Sequence, residues 1–114
     1  MAKTILIVDG NKRRAKRLGR MAADQGHPVI HAASGAEASA LMAAESPGVV
    51  LVGGRLPDQD VDTWVRGIKG RFREVEIVAV ADEPWLIEAL RHLAAGFLQR
   101  PIRPALLGVA LDRA

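Results

Sequence analysis

Cysteine is absent from the 114 residues. Disulfides, thiolate metal sites and a cysteine nucleophile are therefore excluded. Aromatic residues make up only 4% of the chain, so the core has to be built from Val, Ile, Leu and Ala. No run approaches the ~20 apolar residues of a membrane span. The opening stretch MAKTILIVDG holds too short an apolar run for a secretory signal, and Asp9 interrupts it. A bacterial-type cytoplasmic location is the expectation. The three histidines, His27, His31 and His92, are too scattered to read as a metal cluster, and Ser34 and Ser39 have no histidine at a catalytic spacing. No nucleophile–base pair can be named, so neither an enzyme nor a cofactor is expected.

What is present is ordinary for a globular protein: 49% hydrophobic and 25% charged residues, enough for one domain over 1–114. The net charge of +3 is unevenly spread, because NKRRAKRLGR (11–20) holds six basic residues and no acid. Such a stretch is either a patch for phosphates or an acidic partner, or the solvated face of a helix. With no aromatic residue interleaved to stack on bases, the solvated face is the plainer reading, and nucleic acid is disfavoured.

The apolar pattern alternates between two periods. TILIV, PVIHA (28–32), GVVLVG (48–53), VEIVAVA (75–81) and GFLQ (96–99) read as strands. Between them, Ala15, Leu18 and Ala22 recur at helical spacing, with Asn11 to cap the helix and Gly26 to end it. Ser34 with Glu37 forms a capping box before the alanine-rich helix 35–45. Asp60 or Asp62 can cap a third helix through Trp64, Val65 and Ile68. Pro84 opens a fourth, with Leu86, Ala89, Leu90 and Leu93 inward, and Pro104 opens a fifth. Five βα units whose strands are apolar on both faces predict a doubly wound parallel sheet covered on both sides.

Details narrow the choice among proteins of this architecture. ILIVDG at the first strand, SGAEA opening the second helix, VVLVGGRLPDQD and FLQRPI together resemble the receiver domains of two-component response regulators. The resemblance covers essentially the whole chain and implies a flavodoxin-like (βα)5 fold with strand order 2-1-3-4-5. It also implies a phosphorylation pocket whose parts can be checked one at a time. Of two adjacent acids that hold Mg2+ after strand one, Asp9 is present and the next position is Gly10. The phosphoacceptor aspartate, four residues before Pro57, is replaced by Gly53. The hydroxyl residue ending strand four is Ala81, and the lysine before the proline after strand five is Arg100, before Pro101. Arginine keeps the charge but not the ammonium geometry. The glycine that usually follows the acceptor loop is Val61.

Read this way, Asp9, Gly10, Gly53, Arg55, Ala81 and Arg100 are a vestigial phosphorylation pocket and a poor Mg2+ cage, since Mg2+ usually needs one or two carboxylates. Asp9 is expected to pair with a nearby cation, Arg55 or Arg100, because a lone buried carboxylate is costly. Asp58, Asp60 and Asp62 alternate as in calcium loops, but Thr63 and Lys69 stand where that loop needs Gly and Glu, so helix capping is the better account.

The resemblance further implies an output face made by helix four, strand five and helix five. Phe97 matches the switch aromatic of that face, and Trp85, His92 and Arg103 lie around it, with Trp85 and His92 on helix four. The expected function is that of a pseudo-receiver acting by phosphorylation-independent contact with a protein partner or a second copy of itself, with fusion to an output domain a further expectation. The alternatives are small-ligand or nucleotide binding at the vestigial pocket, and nucleic-acid binding through the basic first helix.

Overall fold

A computed structural model describes residues 3–114. Strands and helices alternate strictly: β1 Ile5–Val8, α1 Lys12–Asp24, β2 Val29–Ala32, α2 Gly35–Glu45, β3 Val49–Val52, α3 Val61–Arg71, β4 Glu76–Val80, α4 Pro84–Leu90, β5 Gly96–Leu98 and α5 Pro104–Arg113. The strands form one parallel sheet in the order β2-β1-β3-β4-β5, as the resemblance implied.

The two-residue period of the strands sorts their side chains onto two cores. Leu6, Val8, Val50, Val52, Ile77 and Ala79 face α2, α3 and α4, where they meet Met42, Trp64, Val65, Ile68, Leu86 and Leu90. Ile5, Ile7, Val49, Leu51, Val78 and Val80 face the other way, against Ala15, Leu18 and Ala22 of α1 and Leu107 and Leu111 of α5. This is why β1 and β3 are apolar at every position: both faces are covered.

The helix starts follow the sequence in two cases. Asn11 Oδ1 accepts from the Arg14 amide and Ser34 Oγ from the Glu37 amide. The aspartates before α3 behave differently from expectation. Asp60 holds the N-cap position but makes no side-chain capping bond, and Asp62 pairs with Arg66 at 3.0 Å. Asp58 instead reaches across to a different helix and accepts from the first two amides of α2, Gly35 at 2.9 Å and Ala36 at 3.0 Å. Those donors hold the Asp58 carboxyl below its usual range. Trp64 completes the tie by donating its indole N–H to the Gly35 carbonyl and the Ser39 hydroxyl. A Cβ at Gly35 would stand 2.9 Å from the Trp64 ring, so glycine is what lets the two helices meet there.

Helix α4 is shorter than its pattern suggests. It ends at Leu90, so His92 and Leu93 lie in the following turn, not on the helix. Leu93 still packs against the first core from that turn.

Candidate functional site

Asp9, Gly53, Ala81 and Arg100 each lie just beyond the carboxyl end of a sheet strand, β1, β3, β4 and β5. The order reverses between β1 and β3, which places Asp9 and Gly53 at the topological switch point where open α/β sheets bind ligands.

Asp9 is the buried charged residue among the described residues, 1% exposed. Its partner is neither Arg55 nor Arg100. Arg14, in the first turn of α1, grips it with two nitrogens of its guanidinium: Nε to Oδ2 and Nη2 to Oδ1 at 2.7 Å. The Asn11 amide donates to Oδ1 at 2.9 Å. The correction has a simple geometric cause. Asp9 and Arg14 are joined by a tight turn and the first turn of α1, which brings them face to face, whereas Arg100 is claimed elsewhere. The hydrogen bond to Asp9 raises the Arg14 pKa above its usual value.

The Asp9 carboxylate lies against Gly53. A Cβ built at Gly53 would stand 2.7 Å from Asp9 Cγ and 2.7 Å from Oδ2, closer than real contacts allow. Gly53 is also anchored by its amide, which donates to the Val8 carbonyl at 2.8 Å. Gly10 is similarly confined: a Cβ there would lie 3.2 Å from Pro57 Cδ. Ala81 is fully buried, and its amide donates to the Leu98 carbonyl.

A second ion pair closes the other side. Arg100 donates from its backbone amide to Asp82 Oδ1 at 2.9 Å and from Nε to Oδ2 at 2.8 Å. The amide, and then the guanidinium, hold the Asp82 carboxyl below the usual carboxylate range. The peptide bond from Arg100 to Pro101 is cis. Arg55 is exposed and makes no ion pair among the described residues. Arg14, Arg55, Asp82, Glu83 and Arg100 rim a cleft of about 180 Å3. That is below the ~300–1,000 Å3 of ordinary small-molecule sites.

The fold family's Mg2+ does not fit these residues. Both oxygens of the one buried carboxylate face a guanidinium, and Mg2+ demands near-octahedral oxygen ligation. Among the described residues no group of three or more His, Asp or Glu converges to hold a metal.

The second set of expected residues is spread over a wide surface. Trp85 is 56% exposed and donates its indole N–H to Glu83 Oε2. His92 and Arg103 are exposed as well, while Phe97 is half-buried against the first core. A groove of about 700 Å3 runs along edge strand β5 and α5. Of the four expected residues only Phe97 lines it; Ile87, Leu106, Val109 and Arg113 supply much of the rest. Leu106 and Val109 are 55% and 51% exposed, an apolar pair on the outside of α5 that the sequence reading passed over. The available signal was their spacing: Leu106 and Val109 are offset from the inward Leu107 and Leu111.

Arg14 and Asp82 are the other residues the sequence reading missed. Arg14 sat unremarked inside a basic run, and Asp82 follows β4 without a motif. The signal for Arg14 was its period: it lies next to Ala15 and four residues before Leu18, at the edge of the inward face of α1.

Comparison with known proteins gives the same architecture. A family profile for the response regulator receiver domain matches residues 5–112. The chain is 30% identical to the positive alginate biosynthesis regulatory protein of Pseudomonas aeruginosa, covering 96% of this chain and 46% of that protein. NtrX from Brucella abortus, crystallised in complex with ATP, superposes with a TM-score of 0.92 at 23% identity, covering 99% of this chain and 27% of that one. A chemotaxis response regulator of Vibrio cholerae superposes with a TM-score of 0.87 at 21% identity, covering 99% of this chain and 98% of that one. The chain thus spans less than half the length of the alginate regulator and about a quarter of NtrX. No helix among the described residues is long and apolar enough to cross a membrane. The chain belongs to the response regulator receiver domain family.

Proposed function

We propose that this receiver domain, taken as residues 1–114, signals without being phosphorylated and works by contact with another protein. The observation that carries the reading is the Asp9–Arg14 pair lodged against Gly53. Where a receiver would present an acceptor carboxylate there is no side chain, and the neighbouring carboxylate fills the space. Phosphoryl transfer is catalysed by positioning and by cations that neutralise the transferring group. Here the buried carboxylate is already neutralised from within by Arg14, and Arg100 is engaged by Asp82. Gly10 and Ala81 offer neither a second metal ligand nor a hydroxyl. Gly53, Gly10, Asp9, Arg55, Ala81 and Arg100 thus make a structural plug in place of a reactive pocket.

With that pocket inert, the outer faces remain for recognition. The proposed contact surface is α4–β5–α5, from Trp85, His92, Phe97 and Arg103 to the apolar pair Leu106 and Val109. Tryptophan is enriched at binding hot spots, and a groove beside an edge strand gives a partner both apolar contact and backbone groups to pair with. The domain is non-enzymatic, cytoplasmic and joined to an output module in the longer regulator. Its test is incubation with acetyl phosphate and Mg2+ followed by intact-mass measurement, in which the mass stays that of the unmodified chain.

A further inference from the structure

We infer that the arginine-lined groove between α1 and the segment after β5 binds a small, multiply charged phosphate compound, a pyrophosphate or a nucleoside di- or triphosphate, without transferring its phosphoryl group.

The groove has a volume of about 450 Å3, within the usual ~300–1,000 Å3 range of small-molecule sites. Arg13, Arg14, Arg17 and Arg100 line it and no acid does, while Leu18 and Ile102 give it an apolar patch. Two of these guanidiniums are compensated from behind, Arg14 by Asp9 and Arg100 by Asp82. Arg13 and Arg17 make no ion pair among the described residues. The groove therefore carries two positive charges that no ion pair among the described residues balances.

Two further features favour an anion here. Arg13 and Arg17 are four residues apart on one helix, where like charges repel. The first turn of α1 is Lys12, Arg13 and Arg14, and the acid beside this helix start, Asp9, is already engaged by Arg14 and the Asn11 amide, so Lys12 and Arg13 add to the positive end of the helix dipole. A ligand of two or more negative charges relieves both. Guanidinium forks match phosphate oxygens bidentately, and the Asp82–Arg100 and Asp9–Arg14 pairs hold two of the forks in place. The ligand is a small molecule and not nucleic acid because no aromatic side chain lines the groove to stack on bases. The groove shares Arg14 and Arg100 with the Gly53 plug, but it concerns reversible binding and not phosphoryl transfer, so its failure leaves the proposal of a phosphorylation-independent receiver untouched.

The test is titration calorimetry with thermal unfolding, in EDTA and at physiological salt. The probes are inorganic pyrophosphate, tripolyphosphate, ATP and GTP, with orthophosphate and a short DNA duplex as comparators. Saturable binding of at least one polyphosphate, a raised melting temperature and an unchanged intact mass are expected. Arg13→Gln/Arg17→Gln, two exposed positions, should fold by circular dichroism and lose about tenfold or more in affinity. Arg71→Gln/Arg73→Gln removes the same charge beside the amino end of β4, away from the groove, and should bind as the unaltered chain does. The inference is overturned by no saturable binding of any polyphosphate, by equal loss in the two double variants, or by DNA binding more tightly than tripolyphosphate.

Discussion

Arg14 holds Asp9 by both carboxylate oxygens, and in that position the carboxylate occupies the space a side chain at residue 53 would need. Three positions that look independent in the sequence are thus one mechanical unit. Glycine at 53 leaves room for Asp9, and Asp9 is tolerable in the core because Arg14 reaches it.

Removing the cation should expose that dependence. Breaking a buried pair by deleting one partner costs about 3–5 kcal/mol. The Arg14 side chain is 20% exposed, so water can partly replace it. Arg14→Leu should therefore destabilise by about 2 kcal/mol in urea unfolding, below that range because of the partial exposure. Asp9→Ala/Arg14→Leu should be less destabilised than the sum of the single variants, because the pair's coupling is removed with it. Strict additivity would show that the two residues do not act together.

Gly53→Ala is the smallest probe of the space itself. Its methyl would stand 2.7 Å from Asp9 Cγ, so the carboxylate or the strand has to shift. Overpacking of this kind costs about 1–3 kcal/mol. Adding Asp9→Ala should recover much of that loss. The same crowding bears on Gly53→Asp, which should gain no efficient acceptor: the new carboxylate collides with Asp9 and competes for Arg14. Rapid Mg2+-dependent labelling of Gly53→Asp would show that the pocket is more intact than its geometry indicates.

The acid limb of stability should depend on two exposed aspartates. Amide donors hold the folded-state pKa of both Asp58 and Asp82 below the usual 3.8. A carboxylate with a depressed folded pKa contributes stability that is fully present above its unfolded value and is lost as pH falls through the folded one. Asp58→Asn and Asp82→Asn should therefore be less stable than the unaltered chain at neutral pH, with the differences shrinking below about pH 4. A difference that stays constant down to acid pH would assign the effect to packing.

The two tryptophans should separate structure from recognition. Trp64 is 3% exposed and ties α3 to α2; Trp85 is 56% exposed. Trp64→Ala should cost about 3–5 kcal/mol of stability. Trp85→Ala should change stability by about 0.5 kcal/mol or less, as exposed substitutions do. It should nonetheless weaken association with a partner or a second copy roughly thirtyfold, the effect of losing a hot spot of about 2 kcal/mol. Normal association of a folded Trp85→Ala protein would move the contact surface elsewhere, with Leu106 and Val109 the next positions to test.

The element order and the two-faced strands were legible because they rest on local period: four consecutive apolar residues in β1 and β3 leave no solvent face. The caps at Asn11 and Ser34 were legible for the same reason, being bonds to an amide three residues away. What stayed hidden depends on distance in the chain or on rotamer choice. Asp58 lies beside α3 in sequence but caps α2, because the loop after β3 folds over the neighbouring helix start. A pattern of charges cannot say which arginine of a basic run turns inward, so Arg14 was absorbed into a solvated face. The end of α4 was overread because Leu93 keeps the apolar rhythm after the helix has stopped.

The central claim is that this receiver fold carries no phosphoryl group. Intact-mass spectrometry of the purified chain, after incubation with acetyl phosphate and Mg2+ beside a receiver that is known to be labelled, tests it most directly. An unmodified mass is expected under conditions that label the control; a stable, Mg2+-dependent adduct of one phosphoryl group would contradict the claim.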